Sequence, residues 1–156
     1  GDGRRHADAA HAERLSEGLM YKIRNSGACH DLLQNVASGE LKHRTSEIYR
    51  NLGEWLLTKT EAEIEERYFG LGARRAHQHV PFSQLLFTIQ TTKEHLWDYL
   101  VQEGLLEPED LIGEMQLLQS MEHFFDRAVY YASLGHESGT TAAQWHMHLS
   151  EAVNSR

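Results

Sequence analysis

The sequence predicts an all-α domain, and three observations carry that expectation. Large apolar residues recur every three or four positions along nearly the whole chain. Nowhere do β-branched residues alternate with polar ones over a strand-length window. Only two prolines occur, Pro81 and Pro108, both where a helix can begin. A chain of 156 residues and 17.9 kDa suits one compact domain, of about six or seven helices joined by short connections. At this length roughly 68–70% of the unfolded chain's surface is buried on folding, so no metal or disulfide staple is required.

The elements follow in order. From His11 to Asn25 the residues Leu15, Leu19 and Ile23 form one stripe, and Ser26-Gly27 supplies a stop. Asp31–Val36 is a short helical piece that ends before Ser38-Gly39. From Thr45 to Thr58 the residues Ile48, Leu52, Trp55 and Leu56 share a face. Thr60-x-x-Glu63 then reads as a capping box, restarting a helix through Ile64, Tyr68 and Leu71. Pro81 opens a helix with Phe82, Leu85, Leu86, Ile89, Leu96 and Leu100 at helical spacing, closed by Gly104. Pro108 opens the next, with Glu109 and Asp110 in its first turn and a stripe of Leu111, Met115, Leu118, Phe125 and Val129 reaching Gly135. A weaker last segment is expected from about Thr140 to Val153.

Charge and cysteine content narrow the function. Fifteen Lys and Arg against 23 Asp and Glu give a net charge of −8, the wrong sign for a dedicated nucleic-acid binder. No apolar run approaches the about 18 residues of a membrane span. A single cysteine, Cys29, excludes an intramolecular disulfide and fits a reducing, cytoplasmic setting. The acidic cluster Glu61, Glu63, Glu65 and Glu66 reads as a solvated helix face rather than an acid–base pair.

Eleven histidines invite a metal or haem reading. Carboxylate-bridged di-iron bundles need two Glu-x-x-His motifs, because positions i and i+3 present both ligands to one metal. Glu40-x-x-His43 is the one copy here. His77 and His79, like His146 and His148, are two positions apart and point to different helix faces. A metal-dependent helical-bundle enzyme is therefore a second alternative only. Cys29-His30 are sequence neighbours without a recognisable oxyanion-hole loop, and Gly70-x-Gly72 lacks the strand that would make it a phosphate loop. The expectation is no catalytic residue, no metal and no cofactor. Charged residues inside the apolar stripes, Lys93, Asp98 and Arg127, read as satisfied core ion pairs or as the lining of a ligand cavity or dimer seam. Trp55, Leu86, Lys93, Trp97, Phe125 and Arg127 are the candidate core or pocket residues, with Trp97 at a packed helix junction.

The order of landmarks carries a resemblance. Trp55-Leu56 is followed by Tyr68-Phe-Gly-Leu-Gly-Ala-Arg-Arg75, His79-Val-Pro81-x-x-Gln-Leu85-Leu86, Lys93-Glu-x-Leu96-Trp97-x-x-Leu100 and Phe124-Phe-Asp-Arg127-Ala-Val-Tyr-Tyr131. This resembles the N-terminal non-haem, globin-like sensory domain of RsbR-type stressosome co-antagonists and related histidine kinases. The resemblance covers roughly residues 45–135, with N-terminal helices over 1–44 and an exit segment over 136–156. It implies a globin-like fold without haem, no catalysis, a homodimer formed through the last two long helices, and a signal passed to an output signalling protein or kinase module. Haem-binding relatives place their proximal histidine at a position that falls here on Arg75, whose guanidinium stays protonated and cannot ligate iron. A haem sensor would have to recruit His77, about 200° away around the helix, or His79.

A dimer is expected from the residues as well. Off the main stripe of the Pro108 helix lie Leu117, Met121, Phe124 and Tyr131, a second apolar surface that one seam does not need. These four are the candidate dimer interface. The competing expectation is that the last segment, with Trp145 and Leu149, folds back over that surface within one chain.

Overall fold

The computed structural model describes the backbone of residues 2–58, 60–103 and 111–154, and the side chains of 13–141 within those limits except 111, 112 and 114. Six α-helices make up the described chain: α1 (Asp2–Asn25), α2 (His30–Asn35), α3 (Ser38–Thr58), α4 (Glu61–His77), α5 (Phe82–Gln102) and α6 (Leu111–Asn154). Among the described residues there is no strand. The all-α, globin-like expectation holds.

The connections follow from local chemistry. The chain leaves α1 where Ser26 Oγ donates to the Ile23 carbonyl at 2.7 Å, and Gly27 takes the left-handed φ of +70° that a side chain would resist. At the end of α4 the Val80 amide donates to the Arg75 carbonyl (3.0 Å) and the His79 amide to that of Ala76 (3.1 Å). That pair of bonds is a Schellman closure with His79, at φ +59°, in the position glycine usually holds. Val80, 1% exposed, packs into the core at once, and Pro81 then sets the extended backbone from which α5 starts. So Pro81 precedes the first helical residue rather than being it. Thr60 stands at the N-cap of α4, but its side chain makes no capping bond, which corrects the capping-box reading. The expected Gly104 stop and Pro108 start lie outside the described residues.

The largest correction concerns Gly135. It is not a stop: α6 runs through it as one helix of 44 residues, about 66 Å long at 1.5 Å per residue. The segment from Thr140 continues the helix and does not turn back. Gly135 serves a close approach instead. A Cβ there would lie 1.9 Å from the Phe69 carbonyl oxygen, and one at Gly72 would lie 2.0 Å from that of Ala132. At Gly139 it would meet Ala73 and Ala76 at 2.8–2.9 Å. The contacts advance together along both helices: Glu61 meets His123 and Arg127, Gly72 meets Ala132, Ala73 meets Gly139. The two helices therefore run in the same direction, backbone against backbone, along a seam of glycine and alanine.

Around that seam sits the core. Phe124, fully buried, lies between Trp55 of α3 (ring centroids 5.8 Å apart) and Tyr68 of α4 (5.8 Å, edge-on), with Phe125 edge-on at 5.3 Å. On the other side, α1, α3 and α5 enclose Leu19, Ile23, Leu41, Ile48, Leu85 and Ile89. Cys29 is buried and free, its Sγ 3.9 Å from the Gln84 carbonyl.

Candidate functional site

The residues singled out from the sequence do not converge on one place. Trp55 and Phe125 are buried core. Leu86 and Trp97 are half-buried, and Leu96 rather than Trp97 enters the core of α5. The expected junction at Trp97 is thus off by one position, which is 100° around a helix. Lys93 pairs with Glu122 at 3.0 Å, and Arg127 with Glu61 at 3.1 Å, both at the surface. Asp98 pairs with Lys22 at 3.1 Å in the same way.

The four candidate interface residues divide. Leu117 and Tyr131 are half-buried, whereas Met121 (2% exposed) and Phe124 (0%) are enclosed by the chain's own helices. The second apolar stripe on α6 is real, but Phe124 packs on Trp55 of α3 and Tyr68 of α4, and Met121 is buried within the same chain. A helix with neighbours on two sides needs two stripes. What α6 leaves open is another set: Met115, Tyr130 and Leu134, at 52%, 51% and 38% exposure.

Among the described residues the candidate metal and haem ligands are dispersed. Glu40 is bound to Arg74 and Arg75, while His43 is largely exposed and 4.0 Å from Glu47. Among the described residues no group of three or more His, Cys, Asp or Glu could hold a metal; the side chains of His146 and His148 lie outside them. His77 and His79 are exposed, and neither lines the interior cavity described next. Cys29 is buried, burial pushes its thiol pKa up, and its neighbour His30 is exposed, so the pair offers no activated nucleophile.

One interior cavity does bring chemistry together. It has a volume of about 30 Å³ and lies where α1, α2, α3, α4 and α5 meet. Most of its wall is aliphatic, from Ile23, Leu32, Leu41, Ile48, Leu71, Leu85 and Ile89. Arg75, 2% exposed, is set into that wall together with Arg44, Thr45, Thr88 and Thr92. A haem needs a pocket of several hundred Å³, so this cavity does not fit one.

Arg75 is held by a polar cluster. Its Nη1 donates to Glu40 Oε1 (2.9 Å) and to Gln78 Oε1 (2.8 Å), while Arg74 grips the same carboxylate from outside. Hydrogen bonds from Arg74 hold the Glu40 pKa down at about 2, with burial opposing and Arg75 adding to the fall. The sequence alone does not reveal their role: it presents Arg75 within the landmark run from Tyr68 and as a position unable to ligate iron, and Glu40 as half of a lone Glu-x-x-His. The missed signal was an arginine on the buried stripe of α4, four residues after Leu71.

A second, open cleft of about 680 Å³ lies between the end of α3, the start of α4 and α6, lined by Trp55, Glu61, Gln116, Gln119, Ser120 and His123. The His123 ring lies over Trp55, centroids 5.7 Å apart at 30°. Its one carboxylate, Glu61, is already matched by His123 at 3.7 Å and Arg127.

The described residues form an all-α, globin-like body with a small interior cavity among α1 to α5. The chain belongs to the RsbT co-antagonist protein rsbRD N-terminal domain family, whose model matches residues 10–149. It is thus a stressosome-type signalling domain, over a wider span than the 45–135 in which the landmark motifs fall. No curated protein and no solved structure matches it. Among the described residues no helix is long and apolar enough to cross a membrane.

Proposed function

We propose that this chain is the non-enzymatic input domain of a cytoplasmic stress-response switch, acting as a homodimer that hands a change of state to an output signalling protein or kinase module. The observation that carries this reading is the family membership over 10–149, taken with the seam between α4 and α6. One face of α4 lines the interior cavity through Leu71 and Arg75, and the adjacent face meets α6 through Gly72, Ala73 and Ala76. With backbones in direct contact, no side-chain rotation is available to absorb a shift of α4. A change at the cavity then moves α6 as a unit.

The open apolar residues of α6, Met115, Tyr130 and Leu134, replace Met121 and Phe124 as the surface a second copy would cover, beside Leu117 and Tyr131. Light scattering at micromolar concentration should report close to twice 17.9 kDa. Tyr130→Glu should shift that value toward the monomer while leaving the helical circular dichroism intact. A monomeric wild-type chain removes the dimer from this reading.

A further inference from the structure

We infer that the Arg75 cavity is a binding site for a small monocarboxylate of formate or acetate size, with the carboxylate on the guanidinium and the remainder against the aliphatic wall. As the input site of the domain it rests on the signalling reading above; as a binding site it does not.

Donors come first. Arg75 is 2% exposed, and among the described residues only its Nη1 has hydrogen-bond partners, Glu40 and Gln78. A guanidinium carries five N–H donors in a planar fork, and a carboxylate fits such a fork with two parallel bonds. The neighbouring hydroxyls do not compete for that role. Thr45, Thr88 and Thr92 donate to the carbonyls of Lys42, Leu85 and Thr88, so they turn lone pairs rather than hydrogens outward.

Charge points the same way. One carboxylate, Glu40, answers two guanidiniums, Arg74 and Arg75. The other charged groups nearby are matched: Arg44 by Glu47 at 3.2 Å, Arg67 by Glu47 and Glu54 at 3.9 Å. The site is one negative charge short. A cation is disfavoured by Arg75, and a dianion would overshoot.

Size and lining set the rest. A cavity holds one water per roughly 10–15 Å³ of such volume, so about 30 Å³ admits two or three heavy atoms, as many as formate has, and the fourth of acetate needs the wall to give slightly. Leu71, Leu85 and Ile89 offer a carbon chain a dry surface and offer a polar body nothing. A longer chain would have to displace them.

The test uses the purified chain titrated with sodium formate and sodium acetate, with sodium chloride at equal ionic strength as reference. Calorimetry should show saturable binding to one site per chain, and the Arg75 Nε–H resonance should shift with the same midpoint. Thr88→Leu, which fills the cavity without touching the Glu40–Arg75 pair, should weaken binding at least 10-fold with the helical spectrum unchanged. No effect of formate or acetate beyond that of chloride overturns the site, as does full-strength binding in Thr88→Leu. The resonance shift in the unaltered chain decides the matter even if the variant fails to fold. Acetate binding in a chain that light scattering reports as monomeric would leave the site standing and sink the dimeric input reading, so the two fail separately.

Discussion

The seam between α4 and α6 and the layer formed by α1, α3 and α5 are packed by opposite means. At the seam the contacts are through small residues and backbone: Gly72 lies against Ala132, Gly135 against the Phe69 backbone, and Gly139 against Ala73 and Ala76. In the layer, large side chains meet at a distance and leave gaps, into which hydroxyls, a guanidinium and a cavity of about 30 Å³ are fitted. Ser16 Oγ and Thr45 Oγ1 share a hydrogen bond of 2.7 Å there, and Tyr49 donates to the Thr92 carbonyl at 3.4 Å. Close packing of small residues makes an interface that cannot adjust by rotamer. Large side chains around polar groups make one that can. A domain that must register a small event and transmit it needs both, arranged side by side on one helix, and α4 is that helix.

The comparison is most easily broken at the seam. Gly135→Ala forces a methyl to within 1.9 Å of the Phe69 carbonyl oxygen, which only separation of the helices can relieve. It should cost about 3 kcal/mol or more, a fall of roughly 6–12 °C in the melting midpoint for a domain of this size. Gly70→Ala is the control, two residues from Gly72 on the same helix with nothing within 4 Å of the added methyl. It should stabilise by about 0.5–1 kcal/mol through helix propensity alone. Equal effects at the two glycines would show that the seam is not a close contact.

Next in size is the contrast between aromatic residues. Phe124→Ala removes a ring with no exposed surface, touching Trp55, Tyr68 and Phe125, and should cost about 3–5 kcal/mol. Trp97→Ala removes a half-buried one and should cost well under half as much. Denaturant midpoints in the reverse order would restore Trp97 to the core.

The smallest expected effect is on the pH dependence of the layer. His95 packs against Gly18 of α1, and burial, helped by the nearby Lys22, holds its pKa below the ordinary 6.5 despite the Leu15 carbonyl and Asp98. The unfolded chain therefore takes up a proton that the folded chain refuses, and stability falls as pH drops below about 6.5. His95→Gln should flatten the stability curve in that window. Glu40 is shifted in the same direction but in a lower window: its contribution is complete above the ordinary carboxylate range near 4.5 and is lost as pH falls toward 2. Chemical denaturation from pH 7.5 to 5 checks the first, because Glu40 stays ionised throughout.

The sequence made the helices legible and misjudged what their small and polar residues are for. Apolar periodicity marks α3, α4 and α5 because each buries one continuous stripe. It could not separate a glycine that ends a helix from one that lets another helix approach, since both look like a gap in the stripe. Periodicity therefore makes Gly135 look like a stop, although Ala128, Ala132, Gly135 and Gly139 recur at the three- and four-residue spacing of a helix face. Two stripes on α6 suggest a second copy of the chain, yet Phe124 meets α3 and α4 of the same chain and Met121 is buried with it. The Glu40–Arg75 pair spans 35 residues, and no local pattern reveals a partner at that distance.

Native-state hydrogen exchange tests the contrast between seam and layer most directly. Amides in 68–76 of α4 and 128–139 of α6 should exchange slowest and with a common opening free energy, because neither helix can open without the other. Those in 85–92 of α5, beside the cavity and its threonines, should exchange through an earlier opening. Exchange of 85–92 as slow as that of 128–139, or loss of protection in 128–139 while 68–76 stays protected, would contradict a rigid α4–α6 unit set against an adjustable layer.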